Sequence, residues 1–351
     1  MPTWGETLKE VQESARVRGL QGPDLDGIRL KYIRALRAHS GRAVISYATA
    51  WLNKHDNNVA YSLESQDIHG LMEVCHGIEE RELDLILHSP GGSAQAAEQA
   101  IEYLRTRFDY IRAIIPLQAK SAATMMALGC DEIVMGDHSE LGPIDPQILI
   151  PVPEGTRYAP AHAILRDFAR AKEECKQDIS SLAAWTPILK SYAGGLIEFC
   201  HQQVKLSIEV VTKWLARYML CHDDMEIPEG ERAAKADSIA TWFGSEEAYD
   251  RFRTHGRPIR FGDLKSIGMR VRRLENDPIL QDAALSILHA TQITFNGPSA
   301  KVIENHLGNR FVLLTQTIAM QARPLEGQQP PSGQQPHLSR QKRRALERKR
   351  R

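Results

Sequence analysis

Residues 83–100 read LDLILHSPGGSAQAAEQA, and the fold turns on how they are read. The apolar run through Leu87 has the length and flanks of a buried strand. Pro90 fixes a turn, two glycines follow, and AQAAEQAIEYLRTRF continues in strong helix formers. Glycine tolerates backbone angles closed to other residues and lets another group approach closely. A strand, a diglycine turn and a helix therefore make one βα unit. Its turn is either a tight connection or an anion cradle of free N–H groups at a helix start.

A second unit follows at once. YIRAIIPL, 110–117, is strand-like, and KSAATMMALG, 120–129, is a short helix whose Gly129 predicts a left-handed cap. Ser121 stands at the helix start. A serine there is either a favoured N-cap or a nucleophile beside free N–H groups. DEIVMG, 131–136, predicts another strand, and HSELGPIDPQ a turn-rich loop. Upstream, 6–18 and 26–38 predict two amphipathic helices, 41–52 a strand, and 65–78 a helix with Ser65 as its cap. Residues 160–220 read as helical, and the pattern continues through PEGERAAKADSIATWFGSEEAYDRFRTHG. LKSIGMRVRRLE predicts a helix, a tight turn and a final strand, and DPILQDAALSILHATQITF one more helix. Strands alternating with helices imply an α/β protein around a largely parallel, buried sheet.

The 351 residues carry 44 basic and 44 acidic side chains. The zero net charge hides an asymmetry, because 340–351 hold eight Lys or Arg against one Glu. From about 321 the chain is rich in Pro, Gln and Arg, the composition of a disordered tail. That tail has no interleaved aromatics, so contact with nucleic acid is a lesser reading than a solubilising role. Five scattered cysteines, Cys75, Cys130, Cys175, Cys200 and Cys221, give no disulfide framework and fit a reducing, cytoplasmic setting. The pairs Cys200-His201 and Cys221-His222 lack zinc spacing, so no metal and no cofactor is expected. No window reaches the ~20 apolar residues of a membrane span, and no leader is apparent at the N-terminus. His255, in RTHGRP, reads as a turn residue, and Trp185, Trp214 and Trp242 as packing residues.

The ordered set SPGG, AKSA, DEIVMG and SELGPIDPQ resembles the serine dehydrogenase proteinase family. These are Clp/crotonase-fold serine peptidases related to signal peptide peptidases. The match is clear over 41–175 and weaker to about 275, through AKADSI and GMRVRRLE. No GxGxxG follows a strand, so no nicotinamide site is expected.

The resemblance implies a Clp/crotonase-like α/β fold of repeated ββα units. An N-terminal helical segment would span 1–40, the peptidase domain 41–320 with a helical insertion near 160–250, and a basic tail 321–351. It implies Ser121 as nucleophile, with an oxyanion hole from the Gly91-Gly92 turn and the Ala122 amide. Pro143 and Asp145 would shape the substrate groove. It further implies a homo-oligomer, with 180–250 as an interface, acting on peptides or unfolded protein. A noncatalytic scaffold of the same fold is the alternative, and an enzyme acting on CoA thioesters is a third.

The proton acceptor is the open question. A Clp-type histidine about 25 residues after the serine would fall near 146, which is Pro. His138 and His162 do not match that spacing. Signal peptide peptidases use a Ser-Lys dyad with the lysine some fifty residues on, and that resemblance implies Lys172, then Lys176. Lys120 adjoins the serine, but neighbouring side chains at a helix start diverge. The expected base is Lys172, with His138 as an orienting or alternative partner.

Overall fold

The computed structural model describes residues 3–17, 22–54, 59–152 and 155–315. Two helices open the chain, α1 (Trp4–Val17) and α2 (Leu25–Ser40), followed by β1 (Ala43–Thr49), α3 (Asp67–Cys75) and β2 (Glu82–His88). Next come α4 (Ala94–Arg107), β3 (Tyr110–Ile115), β4 (Gln118–Ala119), α5 (Ala122–Leu128), β5 (Glu132–Met135) and β6 (Glu140–Leu141). A hairpin of β7 (Gln147–Val152) and β8 (Gly155–Pro160) leads into α6 (Ala161–Gln177), α7 (Leu182–Lys190), α8 (Leu196–Arg217), α9 (Glu229–Gly244) and α10 (Glu246–Phe252). The chain closes with α11 (Phe261–Ser266), β9 (Val271–Arg273), α12 (Pro278–Thr294), β10 (Ser299–Asn305) and β11 (Arg310–Leu314).

The main sheet runs β11-β10-β1-β2-β3-β5-β9. The five strands from β1 to β9 are parallel, and β10 and β11 add antiparallel at one edge. The strands bury both faces. Leu83, Leu85, Leu87, Ile111 and Ala113 face a core shared with α3, α4, α5 and α8. Val44, Ile86, Ile114 and Val134 face a second core, closed by Ile33 and Leu36 of α2 and Ala283, Ala284 and Ile287 of α12. This two-sided burial explains why β2 and β3 read as unbroken apolar runs.

The α/β expectation, with a parallel-rich sheet, holds. Four local readings change. Ser65 is not a cap: α3 has Gln66 at that position, with no side-chain bond. Gly129 does not take a left-handed cap, since its φ is −81°. Its small size matters for packing instead, because a side-chain carbon there would lie 3.0 Å from both Ile101 and Trp214. The HSELGPIDPQ loop contains β6, and the β7–β8 hairpin follows it. And β9 is not the last strand, since β10 and β11 follow it. The basic tail lies outside the described residues.

A second, smaller set of pairings crosses the C-terminal ends of the parallel strands. Leu63 bridges Gly92, Ser89 bridges Ala119, β4 pairs with β6, and Leu141 bridges Ile259. These short contacts tie successive loops into one ledge above the main sheet, and that ledge carries the site.

Candidate active site

A cleft of about 650 Å³ opens over the ledge, with Gly91, Gly92, Ser121, Ala122 and His255 in its lining. Ser121 is held at φ 52° and ψ −121°, a region that side chains other than glycine rarely adopt. Such a conformation costs on the order of 1–3 kcal/mol and persists only when the surroundings impose it. The imposing contacts are visible. Lys120 N–H donates to the Ser89 carbonyl at 2.9 Å, and Ala123 N–H to the Lys120 carbonyl at 2.9 Å. The Thr124 hydroxyl donates to the Ala119 carbonyl at 2.8 Å and accepts from Gly142 N–H at 3.0 Å. Ser121 precedes α5 but makes no side-chain capping bond. Its hydroxyl is bonded to nothing among the described residues, so the N-cap reading gives way.

The diglycine turn lies against this serine. Gly91 and Gly92 both take positive φ, 91° and 152°. A side-chain carbon at Gly91 would lie 2.7 Å from Ala122 N and would collide with the Lys120 carbonyl oxygen. Any residue but glycine would push the two loops apart. Gly91 N–H donates to Ser89 Oγ at 3.1 Å. The amides of Gly92 and Ala122 have no partner among the described residues. Leu63 occupies one side of the turn, taking Gly91 O at 2.7 Å and Ser93 N–H at 2.9 Å. In a parallel bridge the central residue points its own N–H and C=O the other way, so Gly92 presents an open backbone edge to the cleft.

His255 is the residue that sequence reading set aside as a turn. Its Nδ1 lies 2.8 Å from Asp145 Oδ1, and the Asp145 side chain is only 3% exposed. Gln147 Nε2 donates to the other carboxylate oxygen at 2.7 Å. The ledge explains how residues 110 apart in sequence meet. Leu141 and Ile259 exchange two backbone bonds, 2.9 and 3.1 Å, in an antiparallel bridge. That bridge brings the segment after Leu141 alongside the segment before Ile259, and Asp145 and His255 meet between them. The Nε2 of His255 has no partner among the described residues.

The bases expected from sequence are elsewhere. Lys172 is exposed on α6, its ammonium 5.9 Å from the Phe168 ring, and it is absent from the cleft lining. Lys176 is exposed on the same helix. His138 places Nε2 2.9 Å from the Pro116 carbonyl, outside the cleft. Between Ser121 and Lys172 the chain passes through the β7–β8 hairpin, and Lys172 falls on an exposed position of the helix that follows. His162 is buried against the Gly244 carbonyl at 2.9 Å. Lys120 turns from the serine to Glu140 at 2.9 Å and the Leu141 carbonyl at 3.0 Å, so neighbours do diverge here. Pro143 is buried and does not line the cleft. Its neighbours Ile144 and Pro146 do, while Asp145 lies beneath His255. His88, just ahead of the turn, is enclosed, and burial pulls its pKa down to about 4, so it is a neutral core residue. Trp185, Trp214 and Trp242 pack as expected, with Trp214 fully buried.

The whole arrangement is a strained serine, a diglycine turn with a free amide, and a carboxylate-held imidazole around one cleft. Residues 65–183 match the family of ClpP-like SDH-type serine proteinases. The resemblance carried by SPGG, AKSA, DEIVMG and SELGPIDPQ is thus shown for that segment, and those motifs all fall inside it. Two relatives from Methanocaldococcus jannaschii are uncharacterized. One, MJ1495, is 30% identical over 193 residues, 55% of this chain and 53% of that protein. The other, MJ0137, is 40% identical over 70 residues, 20% of this chain and 24% of that protein. The chain spans about half the length of the first relative and about a quarter of the second. Among solved structures, a membrane-bound stomatin-specific protease carrying a serine-to-alanine substitution aligns with 12% identity. That alignment covers 60% of this chain and 74% of the other, at a TM-score of 0.33. No described helix of the present chain is long and apolar enough to cross a membrane.

Proposed function

We propose that this protein is a serine peptidase that cleaves peptides or unfolded polypeptide through an acyl-enzyme on Ser121, with His255 as base and Asp145 as its orienting partner. The observation that carries the reading is the Asp145–His255 pair on the cleft that holds the strained Ser121. His255 Nε2 takes the proton as Ser121 Oγ attacks the scissile carbonyl carbon. Asp145 accepts the Nδ1–H, which fixes the tautomer with Nε2 as acceptor and stabilises the imidazolium. The Ala122 amide and an amide of the diglycine turn bind the developing oxyanion. His255 then returns the proton to the leaving amine. A water, deprotonated by the same nitrogen, hydrolyses the ester. The order Ser121, Asp145, His255 differs from the Clp order of serine, histidine, aspartate, and the roles do not depend on order.

The open edge of Gly92 supports extended substrate binding by strand addition. Leu149 and Tyr158 are cross-strand partners on the hairpin, exposed at 53% and 68%, and both line the cleft with Phe199 of α8. This apolar lip suits a substrate with apolar side chains. The five cysteines are all free thiols, in keeping with a cytoplasmic setting. Exposed Leu182 and Ile188 support a homo-oligomeric interface within 180–250, which sedimentation velocity would reveal as a mass above one chain.

The test is labelling with a fluorophosphonate probe, read by intact mass. One adduct is expected on the native chain and none on Ser121→Ala. An adduct of equal yield on Ser121→Ala removes Ser121 as nucleophile.

A further inference from the structure

The diglycine turn is held from behind by the short strap Ser62–Glu64. Leu63, at its centre, uses both backbone groups on the turn, as described above. The fit is close, since a side-chain carbon at Gly92 would lie 2.6 Å from Leu63 N.

Something must in turn hold the strap. On one side of Leu63, the Ser62 carbonyl accepts from Lys301 Nζ at 2.7 Å. On the other, Glu64 N–H donates to Asp67 Oδ2 at 2.9 Å. Lys301 and Asp67 also bond each other, at 2.6 and 2.7 Å. Tyr47 OH donates to Asp67 Oδ2 at 2.7 Å. Lys301 comes from β10, Asp67 from the start of α3 and Tyr47 from β1, and all three are enclosed in the core. The three bonds of the ammonium match its three donors, so it has no proton site left for catalysis. Neither Lys301 nor Asp67 lines the cleft, whereas Ser62 and Glu64 do.

Stability alone does not call for this pair. Removing two charges from water is costly, and well-packed apolar residues often serve as well. What apolar side chains cannot do is fix a carbonyl and an amide on either side of Leu63. We propose that Lys301 and Asp67 are positioning residues. They fix the strap Ser62–Glu64 and, through Leu63, the direction of the Gly92 amide. This rests on the reading of Ser121 and the diglycine turn as the catalytic centre.

The full chain is assayed on a chromogenic peptide ester, with a peptide aldehyde as mimic of the tetrahedral species. The variants are Lys301→Met, the paired change Lys301→Met with Asp67→Leu, and the mild Tyr47→Phe. A misdirected oxyanion donor lowers kcat and aldehyde affinity together and spares KM. Lys301→Met is expected to lower kcat about 10- to 100-fold and weaken the aldehyde by a similar factor, with KM within about twofold. The paired change should recover the melting temperature without recovering kcat. Tyr47→Phe should lower kcat by about two- to fivefold. A paired variant that melts like the native chain and keeps native kcat and aldehyde affinity overturns the proposal. So does a loss that lies entirely in KM. If the single charge variant fails to fold, Tyr47→Phe with unchanged kcat and aldehyde affinity overturns it equally. Fluorophosphonate labelling of the native chain separates the two levels. A native chain without a Ser121 adduct overturns the peptidase reading and the positioning role together. A labelled native chain with unaffected variants overturns only the positioning role.

Discussion

The two walls of the cleft are built by different means. One wall holds Gly91, Gly92, Ser121 and Ala122, and comes from two successive strand-to-helix turns within about thirty residues. It is fixed by backbone hydrogen bonds, positive φ angles and the absence of side chains. The other holds His255, with Asp145 beneath it, beside the hairpin and α8. It is assembled from segments 110 residues apart and fixed by a side-chain pair and one antiparallel bridge. The first wall positions groups that need no titration. The second holds His255, the group proposed to gain and lose a proton. Backbone is the stiffer material for aiming amides, and a side-chain pair leaves a nitrogen free to change its protonation state.

If the division is right, the largest effect comes from the second wall. His255→Ala should lower kcat about 10³- to 10⁴-fold with little change in melting temperature, measured by steady-state hydrolysis and thermal unfolding. A loss below tenfold would show that another group takes the proton and would dissolve the comparison. The first wall should answer through geometry. Gly91→Ala forces a carbon against the Ala122 amide, so kcat should fall by about 10²- to 10³-fold. Since KM reports mainly the ground state here, it should move far less. An unchanged kcat would mean that the turn does not touch the reaction. The smallest effects belong to residues outside both walls. Lys172→Ala and His138→Ala should each stay within about twofold of native kcat/KM. A tenfold loss in either would restore it as a proton carrier.

The first wall was legible in the sequence because each of its signals is local. A strand that ends in SPGG and one that ends before AKSA are adjacent βα units, and parallel sheets set such turns side by side. The strands β1, β2, β3 and β5 were readable for the same reason, as apolar runs of the right length. Strands β10 and β11 were not, because SAKVIENH mixes Lys and Glu into β10, whose charges are buried by partners distant in sequence. Lys301 meets Asp67, and Glu304 meets Arg29 at 2.6 Å. The hairpin was missed because its register lies in a stretch rich in turn residues.

By itself, then, the sequence determined the α/β class, the diglycine turn and the serine at a helix start, all features that neighbouring residues create. Tertiary structure alone brings forward the proposed proton acceptor, His255. Spacing pointed to Lys172, but distance along the chain does not measure distance in space once a hairpin and five helices, α6 to α10, intervene. The bridge between Leu141 and Ile259 carries His255 to Asp145. Nothing in RTHGRP marks that histidine as different from any other in a turn.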